Sequence, residues 1–101
     1  MGEKKRILQK IESITKAIEE HLNKIEEEFK KNDRRYTFYY FKEILGSMFF
    51  SLKEQYQRLD QEKQGEEIIQ ELLEKLEKIL KSNSCYEEYK EIYLKRFGSY
   101  P

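Results

Sequence analysis

The chain has 101 residues, of which 40% are charged and 38% hydrophobic, and its 20 acidic and 20 basic side chains give a formal net charge of zero. This length predicts one domain, residues 1–101, with a single hydrophobic core. Zero net charge excludes the simplest electrostatic case for nucleic-acid or anionic-membrane binding, which is a strongly basic domain. Proline occurs once, at the last position, so the composition favours a helical protein over a sandwich or a barrel.

The cysteine content and the hydropathy pattern bear on where the protein works. Cys85 is the only cysteine, which excludes an intramolecular disulfide and a cysteine-based zinc site. The N-terminus alternates charged and apolar residues and lacks the apolar run of a signal peptide. The longest uncharged stretch, residues 44–52, falls far short of the roughly 20 residues that a membrane-spanning helix needs. We therefore expect a cytoplasmic protein with no membrane partner.

The first predicted helix covers about residues 3–31. Its apolar residues are Ile7, Ile11, Ile14, Ile18, Leu22, Ile25 and Phe29. Their spacing of three or four positions is the helical period and fits no strand. On the other faces, acidic residues precede basic ones by four positions, as in Glu20–Lys24, an arrangement that stabilises a helix. Asn32-Asp33 predicts the following turn, with Asp33 as the N-cap of the next helix.

The second segment, residues 36–59, organises the rest of the chain because its apolar residues go most of the way round a helix. Such a helix has to be covered on more than one side, so we expect it at the centre of the fold. The predicted inward seam consists of Phe38, Phe41, Leu45, Met48, Leu52, Tyr56 and Leu59. Gly46 and Ser47 leave two alternatives open: they allow a neighbouring helix to approach closely, or they only weaken the helix.

The boundary between the second and third helices allows two interpretations. Residues 60–65 are polar and end in Gly65, which is a turn signal. The alternative is one continuous helix from Arg35 to Leu80, because the heptad phase of the leucines is unbroken. We predict a break, with a third helix over about residues 66–81.

The last predicted helix is short. Ser84-Cys85-Tyr86-Glu87 has the spacing of a capping box, and Gly98 stands where a glycine ends a helix. The inward residues of this helix are predicted to be Tyr86, Tyr89, Tyr93 and Phe97. Together the elements predict an all-α fold, an antiparallel helical bundle of three main helices plus a short C-terminal helix.

Few residues in the chain suit catalysis or metal binding. His21 is the only histidine, and a ferritin-like di-iron site needs Glu-x-x-His on two helices. Cys85 beside a helix start is either a reactive thiol with a lowered pKa or a small buried filler at a helix junction, and we favour the filler. The sequence has no Gly-rich phosphate loop and no paired metal-ligand spacing. We therefore expect no enzymatic activity, no cofactor and no bound metal.

One stretch is both basic and rich in tyrosine, and it supplies the candidate partner-binding residues. These residues are Lys30, Lys31, Arg34, Arg35, Tyr36 and Tyr39. In an up-down-up-down bundle, this first turn lies at the same end as the third turn, which follows Lys78 and Lys81. A structural interpretation competes with binding: the tyrosines are core residues with hydroxyls that reach water, and the lysines stabilise the negative end of the first helix dipole.

We expect a non-enzymatic protein-interaction module: a small helical regulator, an adaptor or a self-associating bundle whose partner is another protein or a second copy of itself. The 14% aromatic content gives more apolar surface than four thin helices can hide, and an exposed remainder marks an interface. The alternative is a small nucleic-acid-associated subunit. Its basic residues would contact phosphates and its tyrosine rings would stack on bases.

Overall fold

The computed structural model describes residues 2–101. Its α-helices are α1 (Gly2–Lys30), α2 (Thr37–Glu43), α3 (Phe49–Arg58), α4 (Glu62–Ser82) and α5 (Tyr86–Phe97). A π-helical turn, Ile44–Met48, joins α2 to α3 without a break in the right-handed backbone. Residues 37–58 therefore form one continuous helix, named the central helix here. The described residues are 84% helical and contain no strand, which confirms the predicted all-α fold, and the helix contacts agree with a bundle.

The central helix lies among the other helices, as its sequence predicts. Helix α1 packs along both α2 and α3, and α4 packs against α3. Helix α5 contacts α2 through aromatic rings: the ring of Tyr89 lies 5.4 Å from that of Phe38, and the ring of Tyr93 lies 5.9 Å from that of Phe41. No helix of residues 2–101 combines the length and the apolar character needed to cross a lipid bilayer.

The π-helical turn changes which residues of the central helix face inward. The buried apolar positions after Phe41 are Ile44, Leu45, Phe49, Leu52 and Tyr56. A π turn holds one residue more than an α turn, so the inward position moves from Met48 to Phe49. The predicted seam residue Met48 is therefore only half-buried, although it still packs against the core, and the same shift leaves Phe50 69% exposed.

The predicted break between the second and third helices is confirmed, but the predicted start of the third helix is wrong. Leu59-Asp60-Gln61 separates α3 from α4, and Asp60 has a left-handed backbone with φ of 54°. Helix α4 begins at Glu62, so Gly65 lies in its first turn. A Cβ atom at Gly65 would lie 2.7 Å from the Cβ of Tyr56. The glycine is thus required by the close approach of α3 and α4, not by the turn.

Two predicted N-caps are wrong, while the predicted C-terminal glycine is confirmed. Tyr36 is the N-cap of α2, and Asp33 instead accepts a hydrogen bond from the backbone N–H of Arg35 at 3.1 Å, the arrangement of an Asx turn. Cys85 is the N-cap of α5 and makes no side-chain capping bond, so the capping box does not form. Gly98 follows α5 with φ of 79°, the left-handed conformation that glycine adopts at little cost.

Candidate functional site

A groove lies between the C-terminal halves of α1 and α4. Both helices pack on the central helix, and the space between them measures about 740 Å³. From α1 the groove is lined by Glu19, Leu22, Asn23, Glu26, Phe29 and Lys30. From α4 and the residue after it, the lining residues are Lys75, Lys78, Ile79, Ser82 and Asn83. We call this feature the α1/α4 groove.

The floor of the α1/α4 groove is apolar. Leu22 belongs to the buried core, and Phe29 and Ile79 are partly buried against that core. The three side chains belong to the apolar faces of α1 and α4, at the level where the two helices are separated. The groove therefore leaves Phe29 and Ile79, at the edge of the hydrophobic core, partly open to solvent, while Leu22 is 5% exposed at its base.

The walls of the groove carry opposite charges. Glu19 and Glu26 are exposed on α1, and Lys75 and Lys78 are exposed on α4. Within residues 2–101, none of these four side chains forms an ion pair with N–O separation of 4.0 Å or less. Apart from Lys30, the last residue of α1, the α1 wall is thus acidic and the α4 wall is basic, and the charges of these four side chains are free to meet a bound molecule.

The first and third turns meet at one end of the groove. The guanidinium group of Arg34 lies 5.4 Å from the centre of the Phe29 ring, and its Nη2 donates a hydrogen bond to the backbone carbonyl oxygen of Asn83 at 3.4 Å. This contact joins the loop after α1 to the loop after α4. The prediction that the two turns lie at the same end of the bundle is therefore confirmed.

The four predicted basic residues do not lie together: two are at the groove and two are outside it. Lys30 lines the α1/α4 groove and Arg34 lies at its end, whereas Lys31 and Arg35 are exposed outside the lining. Arg35 is held by Asp33, with Nη2 and Oδ2 3.0 Å apart. The hydrogen bond and charge of Arg35 lower the pKa of Asp33, so the two charges largely cancel locally.

The interpretation of the first two tyrosines as core residues is wrong. Tyr36 is 54% exposed and Tyr39 is 48% exposed, and neither lines the groove. The buried position at the start of α2 belongs to Thr37, whose hydroxyl lies 2.5 Å from that of Tyr89. Tyr39 lies beside Glu43, which raises the pKa of the Tyr39 hydroxyl. Both rings therefore remain available at the surface.

A second exposed apolar area lies where α5 approaches the central helix. A Cβ atom at Gly46 would lie 3.4 Å from the hydroxyl oxygen of Tyr93, so the Tyr93 side chain reaches the central helix at Gly46. Phe50, four residues after Gly46, and Phe97, four residues after Tyr93, are 69% and 50% exposed. We call these two residues the Phe50 area.

The two candidate catalytic residues of the sequence, His21 and Cys85, both pack against other parts of the protein. The ring of His21 lies 5.1 Å from that of Tyr40 in an edge-on contact, and burial together with Lys24 lowers its pKa. Cys85 is buried at the junction of α4 and α5, which confirms its interpretation as a filler, and burial raises the pKa of its thiol. Among residues 2–101, no group of three or more His, Cys, Asp or Glu side chains is placed to hold a metal ion.

Sequence reasoning missed the α1/α4 groove itself. Its glutamates and lysines are exposed on their own helices, and within one helix they have the pattern of an ordinary solvated face. The signal that was present is the repeat of like charge along one face: Glu19 and Glu26 are seven residues apart, and Lys75 and Lys78 are three apart. Only the relative placement of α1 and α4 turns these two rows into facing walls.

The comparisons with known proteins give no match from which a function could be inferred. No family model matches the chain, and neither a curated protein nor a solved structure is significantly similar to it. The α1/α4 groove, the basic end beside it and the Phe50 area are therefore the features from which a function is inferred.

Proposed function

We propose that this protein is a non-enzymatic protein-interaction module, which binds another protein or a second copy of itself. The observation that carries the proposal is the α1/α4 groove, whose apolar floor lies between two walls of unpaired charge. Protein interfaces combine an apolar centre with a polar rim, and grooves between helices commonly receive a helix from a partner. The groove has both properties.

The Phe50 area supports the same function. Aromatic residues are enriched at protein interfaces, and Phe50 is the most exposed of the large apolar side chains in residues 2–101. Phe97 lies one turn beyond Tyr93, whose ring is 4.5 Å from its own. Neither phenylalanine lines the groove, so the two add exposed apolar surface outside it.

The surroundings of the possible reactive groups support the non-enzymatic part of the proposal. His21 lies against an aromatic ring, and the buried Cys85 thiol has a raised pKa, which disfavours the reactive thiolate form. A single buried thiol also suits a reducing compartment, so we place the protein in the cytoplasm as part of the proposal.

A second candidate function is that of a small nucleic-acid-associated subunit. The observation that favours it is the exposure of Lys30, Lys31 and Arg34 near the half-exposed rings of Tyr36 and Tyr39. Basic groups bind phosphates and tyrosine rings stack on bases. The acidic wall of the groove and the pairing of Asp33 with its neighbouring arginine weigh against this candidate.

Affinity purification from the source organism tests the proposed function. The bait is compared with a groove variant, Lys75→Glu/Lys78→Glu, and with a control, Lys5→Glu/Lys16→Glu, that makes the same change in net charge on an exposed part of α1. We expect the wild type and the control to retain a protein partner that the groove variant loses. The proposal fails if the purified protein is monomeric by light scattering and retains no protein above an unrelated bait. Retention of nucleic acid alone would favour the second candidate.

A further inference from the structure

We infer that the α1/α4 groove binds a single amphipathic α-helix of a partner protein, with basic residues along the edge that meets α1 and acidic residues along the edge that meets α4. This inference rests on the proposed function and names the chemistry of the partner. It is carried by the length of the apolar floor, by the opposed charges of the two walls and by the absence of a suitable helix elsewhere in residues 2–101.

The apolar floor matches the spacing of a helical ligand. Leu22 and Phe29 are seven residues apart on α1, which is two helical turns or roughly 10 Å. Helices bound in grooves use apolar anchors at positions i, i+3 or i+4, and i+7. Anchors i and i+7 would thus contact Leu22 and Phe29, and the middle anchor would contact Ile79 from the α4 side.

The charges on the two walls determine which charge pattern a bound helix should have. Glu19 and Glu26 face a bound helix from one side, and Lys75 and Lys78 face it from the other. A ligand with acidic residues on both edges would be repelled by the glutamates, and one with basic residues on both edges would be repelled by the lysines. A nucleic-acid strand, which is negative along its length, would meet the same repulsion from the glutamates.

The helix has to come from a different protein. The apolar stripes of this chain's own helices are already buried in one core. The exposed large apolar side chains of residues 2–101 are Leu8, Tyr36, Tyr39, Phe50, Leu94 and Phe97. No three of these lie within two turns of one helix, so a second folded copy does not offer the anchors that the floor requires.

Three synthetic peptides of about four helical turns test the inference. Each is a fluorescein-labelled helix with leucines at i, i+4 and i+7. The first carries lysines on one edge and glutamates on the other, the second glutamates on both edges, and the third lysines on both. We expect the intact protein to bind the first peptide about tenfold more tightly than the other two, because two exposed charge pairs together contribute about that much.

Wall variants make the test specific to the groove. Lys75→Glu/Lys78→Glu makes both walls acidic and should transfer the preference to the peptide with lysines on both edges. Glu19→Lys/Glu26→Lys should transfer it to the peptide with glutamates on both edges, and Lys5→Glu/Lys16→Glu should leave it unchanged. Circular dichroism verifies that each variant is folded, and amide chemical shifts locate the peptide.

Any one of five outcomes would overturn the inference. Two concern affinity: equal affinity for all three peptides, or no binding of any of them. Two concern location: a preference that the wall variants do not change, or peptide-induced shifts centred on the Phe50 area. The fifth is tighter binding of a single-stranded oligonucleotide at the groove. If affinity purification nevertheless recovers a protein that only a Phe50 variant loses, the proposed function stands and the inference about the groove falls.

Discussion

A Cβ atom at Gly65 would lie 2.7 Å from the Cβ of Tyr56, closer than two such carbons come in folded proteins. Gly65 lies in the first turn of α4 and Tyr56 in the last turns of α3. The contact therefore sets how closely the chain folds back on itself at residues 59–61. It also explains why the first turn of α4 contains a glycine that, in the sequence, resembles part of a turn.

Gly65→Ala should destabilise the protein by about 1–3 kcal/mol, because the added methyl group overpacks the α3–α4 contact. The control is Gly46→Ala, whose Cβ would meet only the hydroxyl of Tyr93 at 3.4 Å. Its effect should stay within about 0.5 kcal/mol or be stabilising, because alanine favours a helix over glycine. Urea unfolding at constant m-value measures both changes. Equal effects of the two substitutions would contradict this account of Gly65.

Removing the Thr37 hydroxyl should destabilise the protein more than removing the Tyr89 hydroxyl. The Thr37 hydroxyl donates its one proton to the carbonyl oxygen of Arg34 at 3.1 Å, so Tyr89 is the donor in the 2.5 Å bond between the two hydroxyls. Burial raises the pKa of Tyr89, which keeps this donor protonated. Thr37→Val leaves the buried donor without an acceptor and should cost about 1–3 kcal/mol, whereas Tyr89→Phe should cost about 1 kcal/mol.

The double variant Thr37→Val/Tyr89→Phe completes a double-mutant cycle. It should be no less stable than Thr37→Val alone, because it also removes the hydroxyl left without a partner. Urea unfolding of the four proteins gives the coupling. Strictly additive effects would show that the two hydroxyls do not interact.

The rotation of the central helix buries one of two adjacent phenylalanines and exposes the other, so alanine substitutions there should differ in their effect on stability. Phe49 is 4% exposed and Phe50 is 69% exposed. Phe49→Ala should cost about 3–5 kcal/mol through the cavity it leaves, and Phe50→Ala should change the free energy of unfolding by no more than about 0.5 kcal/mol. Thermal and urea unfolding check both values. A larger loss at Phe50 than at Phe49 would mean that the π-helical turn is misplaced.

His21 should make the protein less stable as the pH falls below neutral. Burial and the nearby charge of Lys24 lower its pKa in the folded state, while Glu43 opposes them. In the unfolded chain the pKa is about 6.5, so the unfolded state takes up a proton at a higher pH than the folded state. The stabilisation is therefore complete above about pH 6.5 and is lost as the pH falls through the folded-state value.

His21→Gln removes this titration and is the control for it. Between about pH 7.5 and 5.5, the free energy of unfolding of the wild type should fall more steeply than that of the variant, because glutamates titrate mainly below this window. Urea unfolding across the range gives both slopes. Identical slopes would contradict the lowered pKa.

Much of the fold was predictable because it depends on periodicity within single helices. The stripe from Ile7 to Phe29 predicts α1 to within a residue at each end, and Gly98 marks the end of α5. The π-helical turn was not predictable in this way, since it adds a residue that no apolar period announces. The position of Gly65 was missed for a related reason: a glycine required by a contact with Tyr56 has the same local pattern as a glycine in a turn.

The candidate site was less predictable than the fold because it is formed by two helices that are far apart in the chain. The sequence indicated a basic end and an exposed aromatic remainder, and the exposure of Phe50 and Tyr36 agrees with that remainder. It did not indicate that Glu26 and Lys78 would face each other across a groove, because this depends on the separation of α1 and α4 on the central helix. Periodicity within one helix carries no information about that separation.

The central claim, that this protein binds a protein partner through the α1/α4 groove, is tested most directly by photo-crosslinking in the source organism. Asn23→p-benzoylphenylalanine places the crosslinker at the exposed rim of the groove, and Lys53→p-benzoylphenylalanine places it on an exposed position of α3 as the control. We expect a covalent adduct with one protein from position 23 and none with that protein from position 53. An adduct from position 53 alone, or from neither position, would contradict the claim.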